Sequence, residues 1–202
     1  TPFAFPSDTT LYIVTVVDSN GCSNSDSIMI DVNPIPMVDA GLNDSVCFKD
    51  SIPLSASGGN NYLWQPGSGL SDSTASNPMA SPAVSTMYFA TITDSNSCFD
   101  IDSVLITVNP LPNADAGMDT NACNGDSVQL NATGGITYFW DPPTGLSNVN
   151  IPNPVVVISG TMEYFVTVTD SNSCSAPDSI TVEIFNSPAI DAGINDTICE
   201  SD

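Results

Sequence analysis

The side chains of this sequence that could do chemistry are carboxylates, hydroxyls and thiols. Of its 202 residues, 23 are Asp or Glu and six are Cys, whereas Lys49 is the single basic residue and His is absent. The chain therefore lacks the groups that usually transfer protons near neutral pH or clamp phosphates. Because a formal net charge of −22 repels phosphate backbones, we expect no nucleic-acid partner.

The carboxylates recur at positions that suggest an oxygen-rich metal site. We expect two sets of three, each at one end of a domain: Asp39, Asp94 and Asp102, and Asp115, Asp170 and Asp178. Calcium takes about six to eight oxygen ligands, so it is the one cofactor that the sequence suggests. The alternative is that these Asp residues cap backbone amides in turns and need no ion.

Catalysis by these carboxylates is not expected. Paired acids hydrolyse glycosides only in a concave site where one acid lies in an apolar pocket. Here the acids recur at equivalent turn positions, so the same active site would have to occur in every copy. We predict that the chain is not an enzyme.

The sequence repeats itself at a constant offset. The segment DAGLNDSVC at Asp39 returns as DAGMDTNAC at Asp115 and, after an equal interval, as DAGINDTIC at Asp191. The cysteines follow the same offset in two series: Cys22, Cys98 and Cys174, and Cys47, Cys123 and Cys199. Such periodicity is typical of tandem modules. It predicts the end of one repeat at 1–34, complete repeats at 35–110 and 111–186, and the start of another at 187–202.

The joints between the predicted repeats are short and rich in proline. They read Asn33-Pro34-Ile35-Pro36 and Asn109-Pro110-Leu111-Pro112. Proline favours an extended, semi-rigid connection. We expect the repeats to form a rod.

Alternating apolar residues predict β-strands throughout each repeat. Tyr88, Ala90 and Ile92 should face a core while their neighbours face solvent, and the later copy carries Tyr164, Val166 and Val168 in the same places. No helical stripe of useful length is present. Strands of this length, separated by Gly, Asn, Pro and Ser clusters, predict an all-β fold of tandem sandwiches with about seven strands each. Trp64 and Trp140 are expected in the core, with a ligand platform as the less favoured alternative.

These motifs resemble the immunoglobulin-like and PKD-like repeats of giant Bacteroidota surface proteins. The resemblance extends over the whole chain and lies in D-A-G-x5-C, S/Q-L-x-A-x-G-G, Y-x-W, G-L-S and Y-x-x-T-x-T-D-S-N-S-C. It implies export by the type IX secretion system and a role as a surface adhesin, a gliding filament or a spacer beside an enzyme.

The repeated tripeptide Asp-Ser/Thr-apolar resembles the O-glycosylation acceptor pattern of the same bacteria. The candidate acceptors are Ser27, Ser45, Ser51, Ser103, Ser127, Ser179 and Thr197. Alternation places Ser103 and Ser179 outward, as a glycan requires. The alternative is that Asp-Ser simply begins a strand after a turn.

Two cysteines per repeat in an acidic chain indicate disulfides and an oxidising compartment. Within one sandwich the first turn and the last hairpin should lie roughly 20 Å or more apart, whereas a disulfide needs Cα atoms within about 7 Å. We therefore favour a bridge between consecutive repeats, Cys47 with Cys174. The rival is pairing within each repeat, Cys47 with Cys98 and Cys123 with Cys174.

Together these features predict a structural stalk or filament repeat of an extracellular, cell-surface adhesin. Its partners would be neighbouring repeats, further copies in a fibre, and surface glycans or proteins bound by other parts of the parent protein. The alternatives are a glycan- or protein-binding immunoglobulin-like module and a spacer domain of a secreted enzyme.

Overall fold

The computed structural model describes residues 2–185, 188–191 and 193 of the chain. All the regular secondary structure of these residues consists of β-strands. No helix that could cross a membrane is present among them. The chain divides into two compact units between Val108 and Asn109.

The first unit begins with a hairpin and continues with six strands. The hairpin consists of β1 (Thr10–Val17) and β2 (Ser23–Ile30), paired antiparallel from Thr10 opposite Ile30 to Val17 opposite Ser23. The six strands that follow are β3 (Asp44–Cys47), β4 (Ile52–Pro53), β5 (Asn61–Gln65), β6 (Met79–Ala80), β7 (Thr86–Thr93) and β8 (Phe99–Asn109).

The six strands form two layers, as expected for a sandwich. One sheet has the order β3-β8-β7-β5, and the other is built on β4 and β6. Isolated bridges add a segment to each side of the smaller sheet, because Asp39 pairs with Ser57 and Leu70 pairs with Ala80. Six strands and two bridged segments agree with the predicted sandwich of about seven strands.

The second unit repeats this arrangement. Its strands are β9 (Thr120–Cys123), β10 (Ser127–Gln129), β11 (Thr137–Asp141), β12 (Val155–Val157), β13 (Met162–Thr169) and β14 (Ser175–Phe185). The larger sheet has the order β11-β13-β14-β9, and β10 pairs with β12. The first strand, β9, runs parallel to the last, β14, with Thr120 opposite Val182. This parallel pairing closes the sandwich by joining its beginning to its end.

Each sandwich has its own core. The side chains predicted to point inward on β7 and β13 are buried: Tyr88, Ala90 and Ile92 in the first unit, and Tyr164, Val166 and Val168 in the second. Trp64 and Trp140 are also buried, and each indole N–H donates to a carbonyl eleven residues later, on Ala75 and Ile151 respectively. Trp is therefore a core residue in both units, as predicted. Truncating either to Ala should cost about 3–5 kcal/mol.

Candidate functional site

Two of the predicted calcium ligands in the first unit lie together and serve the backbone. Asp102 Oδ2 accepts a hydrogen bond of 2.9 Å from the amide of Ala40, which lies 62 residues earlier in the chain. Asp39 Oδ1 accepts one of 2.8 Å from the amide of Gly41. The first bond joins β8 to the segment before β3, and the second closes a local turn. Both carboxylates therefore act as caps of main-chain N–H groups.

Asp94, the third predicted ligand, lies elsewhere along the sheet. Its Oδ1 accepts from the amides of Asn96 and Cys98 in the β7–β8 turn. Asp94 follows Thr93, which pairs with Phe99, whereas Asp102 pairs with Ala90 further along the ladder. At about 3.3 Å per residue, roughly 10 Å or more of strand separates Asp94 from Asp102. In the first unit, Asp94 thus caps the β7–β8 turn, whereas Asp39 and Asp102 cap the segment before β3.

The second unit repeats the same bonds. Asp178 accepts from Ala116, Asp115 accepts from Gly117, and Asp170 accepts from the amides of Asn172 and Cys174. Among the described residues no group of three or more Asp, Glu, His or Cys is placed to hold a metal ion. Within each unit these carboxylates do not fit the shell of about six to eight oxygens that calcium needs.

The cysteines of the second unit lie at opposite ends of its larger sheet. Cys123 pairs with Phe185 at the end of β14, whereas Cys174 immediately precedes the first residue of that strand. Eleven residues of strand span about 36 Å, far beyond the roughly 7 Å that a disulfide permits. Pairing of Cys123 with Cys174 within the repeat is therefore incompatible with the fold.

The oxidation states of the cysteines agree with this geometry. Cys47 and Cys174 are disulfide-bonded. Cys22, Cys98 and Cys123 are free thiols. The rival pairing of Cys47 with Cys98 and of Cys123 with Cys174 is thus absent from the structure, because it would require both Cys98 and Cys123 to be oxidised. Cys199 lies outside the described residues.

The candidate glycosylation sites differ in accessibility. Four of the serine side chains are exposed: Ser27, Ser45, Ser51 and Ser127. Ser103 and Ser179 are half-buried, and the Ser179 hydroxyl donates to Glu163 at 2.9 Å. Thr197 lies outside the described residues. Both serines lie on the outer face of their strand, since the neighbouring Val104 and Ile180 are buried, but both are only partly exposed.

One tyrosine hydroxyl in each sandwich joins its strand to a loop on the other side of the core, a role that alternation did not reveal. Tyr88 donates to the carbonyl of Ser68 at 3.2 Å, and Tyr164 donates to Thr144 at 2.8 Å. Burial raises the pKa of both phenols. The signal in the sequence that could have identified these bonds is their spacing, since the tyrosine follows its acceptor residue by 20 positions in both units.

Asp72 is a carboxyl whose pKa is clearly lowered. Hydrogen bonds from the amide and the hydroxyl of Thr74, with the amide as the larger cause, hold its pKa below 3.8. Asn148 stands at the equivalent position and accepts the same type of bond from the amide of Asn150. Because a neutral amide fills the same role, this carboxylate shapes a turn and no catalytic function is indicated.

Comparisons with known proteins show similarity of fold at low identity. No protein-family model matches the sequence, and no curated protein matches it. Among solved structures, the IG1+IG2 pair of DIP-gamma is 11% identical with a TM-score of 0.35, and the match covers 75% of this chain and 98% of that chain. Sidekick-1 immunoglobulin domains 1–5 are 10% identical with a TM-score of 0.35, and the match covers 91% of this chain and 47% of that one.

A third match is the N-terminal Ig1-2 module of the Drosophila receptor protein tyrosine phosphatase DLAR. It is 12% identical with a TM-score of 0.31, and the match covers 75% of this chain and all of that one. At such scores, the assignment of immunoglobulin-like sandwiches depends on the strand order and register described above.

Proposed function

We propose that this chain is a structural stalk or filament repeat of a secreted cell-surface adhesin. The proposal is carried by the recurrence of the same hydrogen bonds in both units at the constant offset of the sequence repeat. The bond from Ala40 to Asp102 recurs from Ala116 to Asp178, and the Trp64 indole bond recurs at Trp140. A module that copies its internal contacts suits growth by duplication.

The exposed surface is less well preserved between copies than the internal bonds. On the outer face of the larger sheet, Gln65 and Met87 of the first unit are replaced by Asp141 and Glu163. A binding module would instead keep its surface residues and tolerate change elsewhere. This contrast favours a mechanical role over a recognition site present in every repeat.

The hairpin supports the proposed repeat boundaries. Tyr12 is 37% exposed, whereas the equivalent Tyr88 and Tyr164 are 0% and 1% exposed. Residues 1–34 therefore carry the last two strands of a repeat without the layer that covers them in 35–110 and 111–186. We propose those ranges as the repeats, with 187–202, most of which lies outside the described residues, as the start of another.

We propose that Cys47 is linked to Cys174. Support comes from the disulfide-bonded state of both residues and from the free thiols of Cys22, Cys98 and Cys123. Such a bridge joins consecutive repeats and closes a long loop, which should stabilise the chain by about 5 kcal/mol in the chain-entropy model. It also implies an oxidising, extracellular location.

Single-molecule extension of the intact chain tests the stalk function. With Cys47 linked to Cys174, pulling on the termini should leave the intervening segment folded or looped and unextended. Adding a reductant should then release about 430 Å of additional contour length. Peptide mapping without reductant should recover a Cys47–Cys174 peptide. Units that unfold below the forces typical of extracellular sandwiches, or equal contour lengths in both conditions, would contradict the proposal.

Export by the type IX system and O-glycosylation belong to the same proposal. They are supported by the repeat motifs and by the exposure of Ser27, Ser45, Ser51 and Ser127. Intact mass spectrometry of protein from its native host tests the glycans. A mass equal to that of the bare polypeptide would exclude them.

A further inference from the structure

The outer face of the larger sheet in the first unit is apolar. On β5, β7 and β8 the odd-numbered side chains point away from the core. Five of them are large, apolar and 44–59% exposed: Leu63, Met87, Phe89, Phe99 and Ile101. We call these five residues the apolar face. Contiguous apolar surfaces of this kind mark sites of protein association.

The strand register brings these side chains together. Leu63 pairs with Thr91, which pairs with Ile101, so Leu63 and Ile101 flank one threonine in a single row across the sheet. The next row places Phe89 between Gln65 and Ser103. Neighbouring rows on one side of a sheet lie within contact distance of large side chains. The apolar face is therefore continuous.

The same surface carries no charge. Its remaining outward positions on the three strands are all neutral: Asn61, Gln65, Thr91, Thr93, Ser103, Leu105, Thr107 and Asn109. The two acids of β8, Asp100 and Asp102, are even-numbered and do not belong to this side. In a chain with 23 acidic residues, a neutral surface across three strands is a distinct feature.

The second unit keeps two of these apolar positions, as Phe139 and Phe165, but carries acids elsewhere on the same side. Asp141, Glu163 and Glu183 stand where the first unit has Gln65, Met87 and Thr107. The fold thus accepts acids at these positions, so the sandwich itself does not require a neutral face in the first unit.

We infer that the apolar face is a contact surface for a second copy of this chain. Two copies that each carry a net charge of −22 repel one another over most of their surfaces. A neutral, apolar face pressed against the same face of another copy buries apolar area without bringing like charges together. A two-fold contact of this kind is self-complementary, which is the commonest arrangement of homodimers. The inference rests on the proposed function and deepens it, because it assigns the surface through which stalks associate.

The size of the face determines the strength of the contact. Three strands about 4.8 Å apart and eight residues long cover roughly 370 Å². Stable dimers bury about 800 Å² per partner, so one apolar face forms a weak, reversible contact.

Sedimentation equilibrium of the intact chain tests the inference. The wild type should dimerise with a Kd of about 1 mM or below. The double variant Gln65→Asp, Met87→Glu should associate at least about tenfold more weakly, because two acids would face their counterparts across the contact. We expect this variant to fold, because the second unit already carries acids, Asp141 and Glu163, at the equivalent positions.

A matched control adds the same two charges away from the apolar face. Ser55→Asp, Val84→Glu alters two exposed positions and should leave Kd within about twofold of wild type. Three results would overturn the inference: a wild type that is monomeric at about 1 mM, equal weakening by the control, or association that is lost in Val14→Asp of the hairpin and kept in Gln65→Asp, Met87→Glu. Each of them would leave the extension test of the stalk unaffected, so the two failures are distinguishable.

Discussion

At the scale of single residues, the acids of this chain act mainly as hydrogen-bond acceptors for the backbone. Asp102 and Asp178 accept from the amides of Ala40 and Ala116, which belong to fully buried residues. When a buried amide loses its acceptor, its desolvation is no longer compensated by a hydrogen bond, and the folded state is destabilised. These two aspartates therefore matter more to stability than the acids exposed in turns.

Asp102→Ala should destabilise the first unit by about 2 kcal/mol, because the Ala40 amide loses a charged acceptor. That change lowers the melting temperature of a domain of this size by roughly 10 °C. Asp100→Ala is the matched control, since Asp100 caps only the amide of the adjacent Ile101. Thermal unfolding followed by circular dichroism checks both, and equal effects would refute the assignment.

The buried tyrosines make stability sensitive to alkali. Burial raises the pKa of Tyr88 and Tyr164 above 10.0, so the unfolded chain loses these protons at a lower pH than the folded chain does. The stability that they contribute is complete below pH 10.0 and is lost as the pH rises through the folded pKa values. The double variant Tyr88→Phe, Tyr164→Phe should lose less stability as the pH rises.

Urea midpoints between about pH 8 and pH 11 provide the measurement. At about pH 8 the double variant should already be less stable by roughly 1 kcal/mol per lost hydrogen bond. An unchanged slope at high pH would show that other groups cause the alkaline loss.

At the scale of elements, glycine allows the segment before β3 to approach the smaller sheet. Gly58 has a φ of 114°, and a Cβ at this position would lie 2.2 Å from the carbonyl oxygen of Met37. The equivalent Gly134 has the same conformation and a similarly close contact with Asn113. The bridge between Asp39 and Ser57 depends on this approach.

Gly58→Ala should therefore destabilise the first unit by about 2 kcal/mol or more, through both the strained backbone and the displaced Met37 segment. Gly67→Ala is the control, because a Cβ there meets only Ser73 at ordinary contact distance. Denaturant unfolding of the two variants should separate them clearly. A Gly58→Ala chain as stable as Gly67→Ala would show that the segment relaxes freely.

At the scale of the whole molecule, uncompensated negative charge opposes compactness. The chain has a net charge of −22 and a single basic residue. Salt screens repulsion between exposed charges over distances of about 10 Å. Because the carboxylates of each unit are dispersed, general screening should matter more than binding of a specific ion.

Raising NaCl from about 10 mM to about 200 mM should increase the melting temperature by several degrees. Calcium and magnesium chloride at equal ionic strength should act alike, because no described cluster fits calcium. Differential scanning calorimetry in the three salts is the test. A midpoint raised by calcium alone would instead support a specific calcium site.

The sequence by itself determined the fold class, the repeat and the core. Alternation identified Tyr88, Ala90 and Ile92 as buried because a strand exposes successive side chains to opposite faces, whatever the sheet around it. Because the sequence repeats at a constant offset, a core position predicted in one unit also predicted the equivalent position in the other. Local rules sufficed for these features.

Only the tertiary structure decided which groups meet. Asp39 and Asp102 come together while Asp94 does not, because strand register and hairpin length set distances that spacing along the chain does not encode. The parallel pairing of β9 with β14 likewise set which residue of the last strand lies beside Cys123, although the separation of Cys123 from Cys174 was already expected from the strand lengths. Non-local pairing of strands is thus the physical reason that the strands could be predicted from the sequence, whereas the partners of each carboxylate could not.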